Sequence, residues 1–213
     1  MAEGLRERKK RQTRQHISDM ATALFLEHGF DAVTIAAVAE VAEVSVNTVY
    51  NYFPAKEDLL FDREDEVVER PSLLVRERAE GTSAVRAVLA RLRQDVAERN
   101  PYAGMDPGYA RFMRVVQESP TLMARVLRMQ GRTVDRFAAT LREETGAAPD
   151  DPTPEFIAHQ VIGMQNAVHR SIARCHAAGG APEQTSVEVL RQIDVMESLL
   201  SDRVLNYAAK NTP

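Results

Sequence analysis

Residues 34–59 read TIAAVAEVAEVSVNTVYNYFPAKEDL, and this stretch decides the fold. Thr34 is suited to cap a helix over Ile35 to Val41, and Ser45 a second over Val46 to Tyr52, because a hydroxyl at the N-cap accepts from an otherwise orphaned backbone N–H. Each start carries a hydrophobic staple, Val33 with Val38 and Val44 with Val49. A staple fixes the angle at which chain enters helix. Two stapled helices around the short link Ala42-Glu43-Val44 describe a helix-turn-helix.

The second helix has the make-up of a base-reading element. Val49 and Phe53 are four apart and face inward. Val46, Asn47, Thr48, Tyr50, Asn51 and Tyr52 are left around the outside. No Arg or Lys lies in it, so a bidentate arginine on guanine is not available from this helix. Reading would rest on Asn47, Thr48 and Tyr50, with Val46 or a threonine methyl against a thymine methyl. The competing interpretation makes Tyr50, Tyr52 and Phe53 ordinary core aromatics.

The same stretch resembles the TetR/AcrR family of bacterial one-component repressors. The matching residues are Thr34, Ala39, Ala42, Val44, Ser45, Thr48, Tyr50, Tyr52, Phe53, Lys56, Glu57 and Leu59, with Val38 in place of Ile. The match spans the first 60 residues or so; the remainder resembles the family only in size and helical pattern. The resemblance implies DNA contact by Ser45 to Tyr52, with Thr34, Tyr52 and Lys56 on phosphates. It also implies a homodimer through the last two helices, an inverted-repeat operator in double-stranded DNA and an enclosed small effector. Two positions depart from the family, which often has glycine where this chain has Glu43 and Asn47. A left-handed backbone at Glu43 would carry strain of roughly 1 kcal/mol, unless the turn avoids that conformation.

Outward from this motif the pattern stays helical. A first helix is predicted from about Arg8 to His28, with Ile17, Ala21, Leu24 and Phe25 on one face. Gly29 closes it, and Phe30 folds back on Phe25. Downstream, helices are predicted at 56–68 (continuing past Pro71 toward 79), 83–99, 109–117, 119–146, 153–179 and 186–209, the last opened by a Thr185–Glu188 capping box. Asp106-Pro107-Gly108 marks a loop. The fold class is all-α with about nine helices: a helix-turn-helix domain with a basic arm over 1–55, and a larger helical effector-binding and dimerisation domain over 56–213.

In the larger domain Tyr109, Phe112, Met113, Val116, Met123, Leu127, Gln130, Val134, Gln165 and His169 are candidate ligand contacts. They suit a small hydrophobic effector, with the polar members needing partners if buried. Met is adaptable enough to line such a cavity, although an ordinary core would use the same residues. Val189, Ile193, Met196, Leu200 and Val204 form a seam at four- and three-residue spacing, either a dimer interface or packing within the chain.

Composition supports this class. The chain has 213 residues, 44% hydrophobic and 27% charged, with one cysteine (Cys175) and no tryptophan. That excludes a disordered or disulfide-stapled chain. No run of 18 apolar residues and no signal-peptide pattern occurs, so a cytoplasmic protein without membrane contact is expected. The net charge of −4 conceals an asymmetry: residues 1–16 carry +4 and the rest −8. A basic arm from Arg6 to Arg14 could supply charge to a groove of nucleic acid. No catalytic constellation, cofactor motif or metal-ligand spacing is found; Cys175 and His176 are adjacent and diverge on a helix. The alternative to a regulator is a helical ligand-binding or interaction module that no longer engages DNA, for which Glu43 and the arginine-free helix are the only support.

Overall fold

The computed structural model describes residues 4–106 and 108–210; Pro107, in the predicted loop, lies outside the described residues. The α-helices are α1 Leu5–His28, α2 Ile35–Val41, α3 Val46–Tyr52, α4 Glu64–Glu77, α5 Ala84–Ala97, α6 Tyr109–Glu118, α7 Pro120–Thr145, α8 Thr153–Ala177, α9 Pro182–Ser198 and α10 Asp202–Leu205. Single 3-10 turns cover Lys56–Leu59 and Pro101–Ala103, and no strand occurs among the described residues.

The chain divides into two units, Met1–Glu64 with Arg111–Val126, and Asp65–Ala110 with Leu127–Pro213. Division by packing therefore differs from division at residue 55: the 56–64 segment and a later helical stretch join the N-terminal unit. In that unit Ile17, Ala21, Phe25, Val38, Val49, Phe53 and Leu59 are fully buried, with Val115, Val116 and Leu122 in the same core. Phe30 packs on Phe25 with ring centroids 5.0 Å apart.

Both predicted caps form. Thr34 Oγ1 accepts from Ala37 N at 3.1 Å, and Ser45 Oγ from Thr48 N at 3.0 Å. Between the helices Glu43 takes φ +54°. Val44 N donates to Ala39 O at 2.9 Å and Glu43 N to Glu40 O at 3.1 Å, the paired bonds of a Schellman ending. The turn thus keeps the left-handed residue and accepts the strain of a side chain there. Glu43→Gly is expected to raise the stability of the N-terminal unit by about 1 kcal/mol, read as a higher midpoint in urea at unchanged slope.

The second unit has two apolar clusters. One joins Val75, Val85, Val88 and Leu89 to Phe137, Leu141, Ile157, Val161 and Leu205. The other joins Leu92, Val96 and Met105 to Val168, Ile172, Val189 and Ile193. Parallel α4 and α7 exchange a charge-reversed ladder: Asp65 and Glu69 meet Arg132 and Arg136, then Arg76, and Arg78 just past the end of α4, meet Glu143 and Glu144. Exposed pairs of this kind contribute little each. Arg78, however, is buried and also donates to Val75 O, Thr82 O and Ala208 O, strapping the chain's end to the α4–α5 turn.

Three predicted boundaries are corrected. Residues after Pro54 form no helix from Lys56: a 3-10 turn precedes α4, which runs through Pro71. Asp58 Oδ2 accepts from Ala55 N at 2.9 Å and closes that turn. The last long helix starts at Pro182, so the Thr185–Glu188 capping box is absent and Thr185 is a buried helical residue. That helix stops at Ser198; Ser201 then caps α10, which carries Leu205 into the first cluster. This break gives ten α-helices rather than nine among the described residues.

Candidate nucleic-acid interface

α3 is held from beneath and open above. Val49 and Phe53 are fully buried, while Val46, Asn47, Tyr50 and Asn51 are exposed together. Thr34 and Ser45 are exposed at the two helix starts, and Thr48 and Tyr52 are half-buried. Ser45 Oγ lies 2.8 Å from Thr48 Oγ1, so that hydroxyl pair is partly satisfied within the helix. Asn47, Tyr50 and Asn51 are left as the freer polar groups for base edges, with Val46 beside them.

Two cations that sequence assigned to DNA also make contacts within the unit. Arg14 Nε donates to Asp62 Oδ1 at 2.5 Å and Nη1 to Tyr52 O at 2.7 Å, and its guanidinium covers the Phe53 ring at 4.4 Å. It thereby satisfies an end carbonyl of α3. Sequence reading missed this role, yet Arg14 continues the buried α1 face of Ile17, Ser18 and Ala21 by one turn, and that spacing was visible. Lys56 Nζ donates to Phe30 O at 2.5 Å and sits over the Phe30 ring at 4.3 Å. Desolvation lowers its pKa, opposed by the nearby Asp31 carboxylate.

The basic arm is helical from Leu5 onward. Arg6, Glu7, Lys9, Lys10 and Thr13 face Tyr52 across a groove of about 380 Å³. Elsewhere in the N-terminal unit Arg125 ties Glu64 to Asp58, and Ser18 Oγ donates to Leu59 O. These contacts fix the chain segment that leaves α3.

The ten candidate ligand contacts are not gathered within either unit. Phe112, Val116 and Met123 belong to the core of the N-terminal unit, Val116 fully buried there, and Met113 lies on the same stretch of α6. In the second unit Val134 is a core residue, Gln130 and Gln165 are half-buried, and Leu127 is 61% exposed. Tyr109 and His169 do meet, ring centroids 6.3 Å apart. Desolvation raises the Tyr109 pKa to about 12 and lowers that of His169, so both rings are neutral at pH 7.

Of the two readings of the α9 seam, packing within the chain is the one observed. Val189 and Ile193 are fully buried within the chain, and Met196, Leu200 and Val204 pack on its own first cluster. The apolar residues left open on α8 and α9 are Phe156, Val187 and Val195, with Leu199 at the α9 end. No group of three metal-ligating side chains occurs among the described residues, and none of their helices is long and apolar enough to cross a membrane.

Comparison with known proteins agrees with this geometry. The family model for bacterial regulatory proteins of the tetR family matches residues 17–62, which include α2 and α3. The HTH-type transcriptional regulator TcmR of Streptomyces glaucescens is 31% identical over 179 residues, covering 80% of this chain and 76% of that one. The repressor KstR of Mycolicibacterium smegmatis is 40% identical over 71 residues, 30% of this chain and 35% of its own. NalD, the secondary repressor of the MexAB-OprM efflux pump in Pseudomonas aeruginosa, shares the fold at TM-score 0.59 and 16% identity, covering 87% of this chain and 97% of its own. The SmeT–triclosan complex does so at TM-score 0.55 and 18% identity, covering 95% and 98%. With the family model matched over its helix-turn-helix and a relative aligned along most of its length, this chain belongs to the TetR family of bacterial regulatory proteins, and is a DNA-binding transcriptional regulator rather than an enzyme.

Proposed function

We propose that the chain is a repressor that leaves its operator when a small hydrophobic effector binds. The observation carrying this reading is the open edge of α3: Val46, Asn47, Tyr50 and Asn51 outward over buried Val49 and Phe53. Such an edge fits the major groove, where asparagine pairs with adenine and apolar groups meet thymine methyls. Thr34, Ser45, Thr48 and Tyr52 flank it as phosphate or helix-end contacts. Lys56 joins them only through a proton not used on Phe30 O. Residues 1–55 supply the reading head, and 56–213 the effector-binding and dimerisation domain, in a cytoplasmic protein acting on double-stranded DNA.

The dimer is assigned to the last two long helices through Phe156, Val187, Val195 and Leu199 rather than the buried seam. A two-fold pair reads an inverted repeat, its half-sites about 34–36 Å apart or a multiple of that. The effector is assigned to the helical domain, with Tyr109 and His169 as its polar anchors and half-buried Gln130 and Gln165 as further polar candidates. Leu127 and Val134 are the apolar candidates of the same unit, Val134 serving its core in any case. KstR and NalD carry the name repressor, and SmeT is described with triclosan, a small apolar molecule; both support this direction. Effector and DNA must then weaken each other's binding by the same factor.

Binding to a duplex from the gene's own upstream region tests the reading head. Tyr52→Ala is expected to weaken all sequences uniformly and flatten the salt dependence, while Asn47→Ala shifts base preference by about 1–3 kcal/mol at one position. Equal losses of selectivity from both variants would overturn these roles.

A further inference from the structure

The basic start of the chain has a defined shape that its charge alone does not explain. It is helix from Leu5, not an extended arm. Residues 6, 9, 10 and 13 recur three and four apart and so share one face. That face and Tyr52 enclose the groove described above, where Arg6, Lys9 and Lys10 stand against one acid, Glu7. The cationic ends of Arg6, Lys9 and Lys10 make no hydrogen bond or ion pair with the described residues. The far wall is anchored: Tyr52 is the last residue of α3, and Arg14 holds its carbonyl at 2.7 Å. The groove is therefore fixed relative to the base-reading edge.

We propose that this groove seats the sugar–phosphate backbone of DNA as a helical clamp beside the bases read by α3. The inference rests on the reading head proposed above. From residue 6 to residue 13 the helix advances roughly 10 Å at 1.5 Å per residue. That reaches about two neighbouring phosphates of one strand, whose spacing along the winding backbone exceeds the 3.4 Å axial rise per nucleotide. A straight helix of this width lies along a backbone and does not thread the minor groove as an extended arm does. Since the rest of the chain is acidic, with −8 outside residues 1–16, the clamp supplies much of the sequence-independent attraction. It adds affinity and salt dependence without base preference.

The test compares the full chain with Lys9→Ala/Lys10→Ala and with Arg114→Ala/Arg128→Ala, which loses the same charge at exposed positions elsewhere. Each binds the upstream duplex and an unrelated duplex of equal length over a salt series. The clamp variant is expected to lose the same factor of affinity on both duplexes. Its slope of log affinity against log salt falls by about 2, near 0.9 per phosphate released, and the control keeps the slope of the unaltered chain. An unchanged slope in the clamp variant, an equal change in the control, or a loss confined to the upstream duplex would overturn the clamp while leaving the reading head intact. If the unaltered chain bound neither duplex, clamp and reading head would both fall.

Discussion

Phe53→Ala is expected to destabilise the N-terminal unit by about 3–5 kcal/mol, the range for deleting a fully buried aromatic. The position concentrates several supports. Its ring is fully buried with Val49 and Leu59, its backbone N–H caps α3 by donating to Val49 O, and Arg14 lies across the ring face. Removing the ring leaves a cavity and takes the apolar platform from under Arg14, whose guanidinium holds the end of α3. A unit that stands at a typical 5–15 kcal/mol would lose a large fraction of it. Urea unfolding of the intact chain checks this, with the midpoint of the N-terminal unit moving down while the second unit keeps its own. A shift under 1 kcal/mol would show that the aromatic is not the keystone of the reading head.

Phe156→Glu with Leu199→Glu is expected to yield a folded monomer that has lost 10²- to 10⁴-fold in operator affinity, the usual gain from linking two binding modules. Phe156 is 65% exposed and Leu199 80%, so within one chain the substitutions cost little and helicity should be unchanged. In the paired form they would place charges in an apolar interface. Sedimentation and duplex binding measured on the same samples check it. A variant that stays dimeric, or a monomer that binds as tightly as the unaltered chain, would remove the proposed interface from the account.

The helix-turn-helix was legible because its signals are local. Thr34 and Ser45 cap within three residues, and the staples act within one turn. Helix existence was legible too, since burial repeats along every long helix. What was not legible is what a face packs against. The α9 seam spacing is the same for a partner chain and for the chain's own core, and Val189 and Ile193 chose the latter. Arg14 and Lys56 read as free cations because their partners, Tyr52 O with Asp62 and Phe30 O, lie 26 to 48 residues away in sequence. The ligand contacts were grouped by position on the middle helices, but α6 and α7 each contribute to both units, so Phe112 and Val116 fell to the N-terminal core. Glu43 shows the reverse limit: its strain was readable from residue type alone, the conformation chosen was not, and the paired Schellman bonds outweigh the strain.

The most direct measurement is base-resolved footprinting of the intact chain on its own upstream duplex, repeated with Asn47→Ala/Tyr50→Ala. The account predicts two protected major-groove segments centred one helical turn apart, or a multiple of it, related by inverted symmetry. In the double variant the bases of both segments should become reactive again. Protection that is absent, or that the double variant reproduces base for base, would contradict the claim that α3 reads DNA.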